Sequence, residues 1–159
     1  MTTVTTVSAA TWIDALPVAV WAVLTDLSRY PQWNPLYPEA AGTLAVGQRV
    51  TLRTVPDGGR PATIRARVTA LTPEAGLRWA GRLPGLIAGE HTFTLKPGNG
   101  GTLVLQSGTF RGFMVRFSGR RADRAETGFQ VLNSALKARV EKAGGSTDTD
   151  AEGSRTTKA

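Results

Sequence analysis

The chain has 159 residues, a net charge of +7, no cysteine and one histidine. That length suits one domain with a real core and a short tail, and the missing cysteine excludes disulfides, thiolate metal sites and cysteine nucleophiles. No apolar run approaches the roughly 20 residues of a membrane span, and the opening Met1 to Val7 lacks the basic start and long apolar core of a signal peptide, so a cytoplasmic location is expected.

Thr3 to Leu16 reads as a first strand, rich in β-branched residues, with Val4, Thr6, Ser8, Ala10 and Trp12 opposed to Thr5, Val7, Ala9, Thr11 and Ile13. Pro17 then opens a helix through Val20, Trp21, Leu24 and Leu27 that stops near Tyr30-Pro31. Trp21 is expected in the core. Asp26 disfavours the helix dipole where it stands, so it is expected to bond a neighbouring loop. Pro31 to Pro38 reads as a rigid loop. Its Trp33, Leu36 and Tyr37 are too large to leave in water, and they either plug the end of the core or rim a pocket.

Three strands follow. Val46 to Val55 turns Val50, Leu52 and Thr54 to one face, and Pro56-Asp-Gly-Gly is a turn signal. Ala62 to Leu71 turns Ile64, Ala66, Val68 and Ala70 inward, and Gly76 to Gly81 carries Leu77 and Trp79 inward. One apolar and one polar face per strand marks an antiparallel sheet with one solvated side. Arg82 to Ala88 is an apolar link placed to fold over a pocket mouth.

Gly89 to Phe110 reads as a β-hairpin with a Gly/Asn-rich loop, its first arm ended with the help of Pro97. Pairing points Val104, Gln106 and Phe110 the same way as His91, Phe93 and Leu95. A histidine and a glutamine on an apolar face must be hydrogen-bonded there or must line a cavity, and the cavity is the favoured reading. Phe113, Val115 and Phe117 alternate as a last extended segment, with Ser118 a helix N-cap. From Arg120 to Lys142, Ala122, Ala125, Phe129, Leu132, Leu136 and Val140 recur at helical steps, and Gly144-Gly145 is expected to end that helix. The organisation expected is one domain over residues 1–143 and a disordered tail over 144–159.

Arginine outnumbers lysine. Arg49 with Arg53, and Arg65 with Arg67, alternate as a solvated outer face does. A denser cluster, Arg111, Arg116, Arg120, Arg121 and Arg124, is partly balanced by Asp123 and Glu126 and has no assigned partner. Aromatic–basic interleaving is missing, so nucleic acid is not an expected partner.

Strand, short helix, a run of antiparallel strands and one long C-terminal helix is the order of the helix-grip fold, an α+β architecture in which a curved antiparallel sheet surrounds that helix, with two short helices near the N-terminus. Val20-Trp21-Ala-Val-Leu-Thr-Asp26-Leu, Tyr30-Pro31-Gln-Trp33-Asn34-Pro35, Leu77-Arg-Trp79, Gly89-Glu-His91-Thr-Phe93, Gly101-Thr102 and Phe129-Gln-Val-Leu-Asn133-Ser-Ala-Leu136-Lys resemble the START-like (SRPBCC) superfamily, and within it the bacterial polyketide cyclase/dehydrase-like group, over about Val4 to Lys142. The resemblance implies a deep apolar cavity with Trp79, His91, Phe93, Gln106 and Phe110 on its wall and Phe129, Leu132 and Leu136 on the helix lid. Many similar relatives carry a glutamate where this chain has Gly108. From the residues alone, Ile64 and the small Ala66 add inward wall, and Trp33 and Leu36 are rim candidates.

The function expected is binding of a hydrophobic small molecule, lipid- or polyketide-like. The alternative is a polyketide cyclase or dehydratase with His91 as general acid/base and Gln106 orienting a carbonyl; a further one is a protein-interaction module with a patch around Trp33, Leu36, Leu83 and Leu86. A Ser-His-Asp triad would need Ser107, which sits on the opposite face. One histidine among scattered carboxylates has no metal-ligand spacing, and no Gly-rich phosphate loop opens a helix, so no metal or cofactor is expected. Monomer and homodimer both stay open.

Overall fold

Alternating strands and one striped helix assemble as a sheet that grips the helix. The computed structural model describes residues 4–55, 60–83, 87–111 and 119–152. Its elements are β1 (Val4–Ile13), α1 (Pro17–Thr25), a 3-10 turn (Leu27–Arg29), α2 (Tyr30–Trp33), β2 (Glu39–Gly42), β3 (Arg49–Thr54), β4 (Ala62–Thr72), β5 (Gly76–Leu83), β6 (Ile87–Gly98), β7 (Gly101–Arg111) and α3 (Gly119–Glu152). The strands form one seven-stranded curved sheet in the order β1-β7-β6-β5-β4-β3-β2, every pair antiparallel. The expected helix-grip fold is the one observed.

The inner face follows the period of two. Val7 and Ile13 of β1, Val50 and Leu52 of β3, Ala66 and Val68 of β4, Leu77 and Trp79 of β5, Phe93 and Leu95 of β6 and Val104 of β7 are all buried. The first helix is shorter than its apolar run suggested. It opens on Pro17 and gives way at Asp26, whose carboxylate accepts from Ser28 Oγ at 2.5 Å and pairs with Arg29 at 3.3 Å. Pro31 falls in the first turn of α2, where a proline is tolerated, so the segment expected as loop begins with a helical turn. The four-residue edge strand β2 was not foreseen; its sequence, Glu-Ala-Ala-Gly, has no β-branched residue.

Two further expectations are corrected. The register between β4 and β5 jumps from Val68↔Trp79 to Ala70↔Arg78, so Thr69 is the extra residue of a bulge. Beyond it Ala70 faces outward with Arg78, and Leu71 faces inward opposite the buried Leu77. Pro97 does not end the first hairpin arm. β6 continues to Gly98, which pairs with Gly101, and Asn99 (φ 43°) and Gly100 (φ 77°) make a two-residue turn. Positive φ at both central residues is the geometry that matches the strand twist.

Helix α3 lies along β1 and touches β7 and α1, burying Phe129, Leu132, Leu136 and Val140. It does not stop at Gly144-Gly145 but runs to Glu152, through residues expected to be disordered. Gly144 is not among the positive-φ glycines, so no left-handed cap forms there. On the outer face Arg49 stands opposite Arg67 and Arg65 opposite Arg82, all exposed, as the alternation implied. The expected segment Phe113–Phe117, the Ser118 cap, the Pro56–Gly59 turn and Leu86 lie outside the described residues. So do the side chains of Leu83 and Ala122.

Candidate functional site

His91 sits mid-strand on β6, opposite Trp79 on β5 and Gly108 on β7. It is 6% exposed. Four aromatic rings enclose it. Phe129 stacks on it (centroids 4.7 Å, planes 4° apart), Phe93 tilts against it at 4.5 Å, Trp79 meets it edge-on at 5.8 Å, and Tyr37 lies at 5.9 Å.

Tyr37 reaches the histidine because the preceding turn aims it. Asn34 Oδ1 accepts from the backbone N–H of Leu36 (3.0 Å) and of Tyr37 (2.9 Å), closing a turn that Pro35 and Pro38 stiffen. The Tyr37 hydroxyl then lies 3.0 Å from His91 Nδ1. The other ring nitrogen, Nε2, lies 2.9 Å from Gln106 Oε1. Gln106 Nε2 donates to the Phe129 main-chain carbonyl (3.2 Å) and to Asn133 Oδ1 (2.7 Å). A four-residue polar chain, Tyr37–His91–Gln106–Asn133, thus crosses the apolar interior from the α2–β2 connection to α3. At its end the Asn133 Nδ2 donor is buried without a hydrogen-bond partner among the described residues.

Burial lowers the His91 pKa to about 4, with the Gln106 bond opposing weakly, so the imidazole is neutral at neutral pH. The same desolvation raises the Tyr37 pKa, and the phenol stays protonated.

A pocket of about 50 Å³, open on one side, adjoins this chain. Tyr37, Leu52, Ile64, Ala66, Trp79, Gly81, Gly89, Glu90, His91, Phe110 and Phe129 line it. Six expected site residues therefore come together there: Ile64, Ala66, Trp79, His91, Phe110 and Phe129. The other six do not line it. Phe93, Leu132 and Leu136 are core, and Trp33 and Leu36 pack against that core, with Trp33 edge-on to Tyr30 at 5.2 Å. Gln106 stands behind His91 as its hydrogen-bond partner.

The deep cavity implied by the resemblance is reduced to this small one. A Cβ built on Gly108 would fall 2.6 Å from Phe129 Cζ, so the ring occupies the room that a side chain at that position would need. What the sequence left open was Tyr37, and what it missed were Leu52, Glu90 and the pair Gly81 with Gly89, facing each other across β5 and β6. Two facing glycines remove side-chain bulk from one wall; that pairing was the available signal. Among the described residues no group of three or more His, Cys, Asp or Glu side chains could hold a metal ion, and no helix is long and apolar enough to cross a membrane.

Solved structures share this fold. A START superfamily protein from Mycobacterium smegmatis superposes with a TM-score of 0.74 at 20% identity, over 87% of this chain and 98% of its own. XoxI from Bacillus cereus gives 0.68 at 23% identity, over 87% and 97%. DynU16, from the dynemicin biosynthetic locus, gives 0.69 at 17% identity, over 87% of this chain and 48% of its own. No curated protein sequence matches. The sequence profile described as polyketide cyclase/dehydrase and lipid transport matches residues 4–147. With a helix-grip sheet, an inward pocket and a profile spanning nearly the whole described chain, the protein belongs to the polyketide cyclase/dehydrase and lipid transport family of START-like proteins.

Proposed function

We propose that this protein binds a hydrophobic small molecule, lipid- or polyketide-like, by inserting one end of it into the pocket beside Tyr37 and His91. The observation that carries the reading is a largely apolar, partly open pocket on the inner face, lined by a neutral, hydrogen-bonded imidazole and a phenol. The family description, which includes lipid transport, supports it. A cavity near 50 Å³ is below the 300–1,000 Å³ of a site that swallows a drug-sized molecule, so the ligand's remainder extends through the mouth.

The same geometry weighs against His91 as a general acid/base. Both ring nitrogens are engaged inside the protein, and a pKa near 4 leaves the ring without the imidazolium proton a general acid gives at neutral pH. The interaction reading is weakened, because Trp33 and Leu36 are partly buried against the core.

Native mass spectrometry of the recombinant protein tests the proposal. A co-purified apolar adduct that organic extraction removes and added lipid extract restores is the expected result. Protein that shows no adduct before or after exposure to the extract overturns it.

A further inference from the structure

The polar chain behind the pocket has a direction, and its starting point is a main-chain atom. The Phe129 carbonyl can only accept, so the Gln106 atom 3.2 Å from it is the amide nitrogen. Gln106 therefore turns Oε1 to His91, 2.9 Å from Nε2. Two facing acceptors would repel, so Nε2 carries the imidazole proton. The neutral ring then has a bare Nδ1, which accepts the Tyr37 hydroxyl proton over 3.0 Å. The Tyr37 proton is spent inward, and its oxygen is left with lone pairs only.

Resting on the ligand-binding reading above, we infer that the pocket selects a neutral ligand whose buried end is a hydroxyl donor, an alcohol, phenol or enol, because Tyr37 lines it and the Tyr37 oxygen, its proton committed to His91, can only accept. A ketone, ether or carboxylate oxygen would bring an acceptor against an acceptor. An ammonium donor would satisfy the phenol but loses its hydration among Leu52, Ile64, Trp79, Phe110 and Phe129, and the one carboxylate on the lining, Glu90, is exposed and already paired with Arg78. The unpaired Asn133 Nδ2 fits the same polarity. Asn133 presents Oδ1 to Gln106, and its own donor is left buried with no partner among the described residues.

The test uses the full chain and the near-isosteric pair sec-butanol and butanone, titrated by amide chemical shifts of the pocket residues, with imidazole nitrogen shifts of the single histidine read in the same protein. The expected results are an Nε2–H tautomer, roughly tenfold tighter binding of the alcohol, and loss of that preference in Tyr37→Phe. A butanone affinity equal to or above that of sec-butanol overturns the inference while leaving a small-molecule pocket in place. An Nδ1–H tautomer overturns it without any ligand, and stays measurable even if Tyr37→Phe fails to fold. Binding of neither probe overturns the pocket reading itself, and this selection with it.

Discussion

Phe129 lies flat on His91, centroids 4.7 Å apart and planes within 4°, and it does so only because the strand neighbour of that histidine is a glycine. Gly108 pairs directly with His91, and a Cβ there would fall 2.6 and 2.9 Å from two Phe129 ring atoms and 3.2 Å from Phe110 Cζ. Phe129 is 4% exposed and stacked on His91, so moving aside breaks that stack. Gly108→Ala is expected to lower the unfolding free energy by about 1–3 kcal/mol, measured by urea denaturation. In a Phe129→Leu background the added methyl has room, and most of that cost disappears. Equal costs in the two backgrounds would show that the ring does not sit over Gly108.

Stability also carries the signature of a buried neutral histidine. The His91 pKa falls from 6.5 to about 4 on folding. Between those values the unfolded chain binds a proton that the folded chain refuses. The stabilisation is complete above pH 6.5, declines as pH drops toward 4 and then levels off. The loss amounts to about 2 kcal/mol by pH 5, on the scale of 1.36 kcal/mol per pKa unit. No other histidine exists to confuse the window. His91→Gln should flatten the urea-denaturation slope between pH 7 and pH 5; an unchanged slope would assign it elsewhere.

The local chemistry of the chain made the hairpin legible, and with it the shared face of His91 and Gln106. The Gly/Asn-rich loop between two apolar arms marked the hairpin, although the turn is tighter than read, only Asn99 and Gly100. Antiparallel pairing of the two alternating arms is the reason these two residues could be placed on one face before their bond was seen. Ala70 was misplaced because a bulge leaves no mark in a period-two pattern; Thr69 looks like any strand threonine. Tyr37 was left between plug and rim because its role depends on a contact 54 residues away. The size of the cavity was beyond reach for a related reason. It is set by how deeply one ring on α3 enters the sheet, which depends on Gly108 meeting Phe129 across tertiary space.

Ala66 offers a way to separate the pocket from the fold. It is 1% exposed, lines the opening and stands between Val50 and Gly81 in the register. Ala66→Val places two methyl groups in a space of about 50 Å³. Filling a void commonly leaves stability unchanged or raises it by about 0.5–2 kcal/mol, while a ligand end loses its room. The expected outcome is a melting temperature at or above that of the parent together with lost shift perturbations on adding sec-butanol. A stable variant that still binds would place the ligand somewhere else.

Gly144 decides between two geometries for the end of α3. A glycine that stops a helix does so in the left-handed conformation, where an added Cβ is strained, and replacing it destabilises. Here the helix continues to Glu152, Gly144 is absent from the positive-φ residues, and a Cβ built on it meets nothing within 4 Å. In that setting alanine removes backbone freedom from the unfolded chain and adds no clash. Gly144→Ala should therefore raise the unfolding free energy by about 0.5–1 kcal/mol and increase the helical circular dichroism signal. A loss of stability of that size would mean that the helix ends at Gly144 after all, and that the segment beyond it is not part of α3.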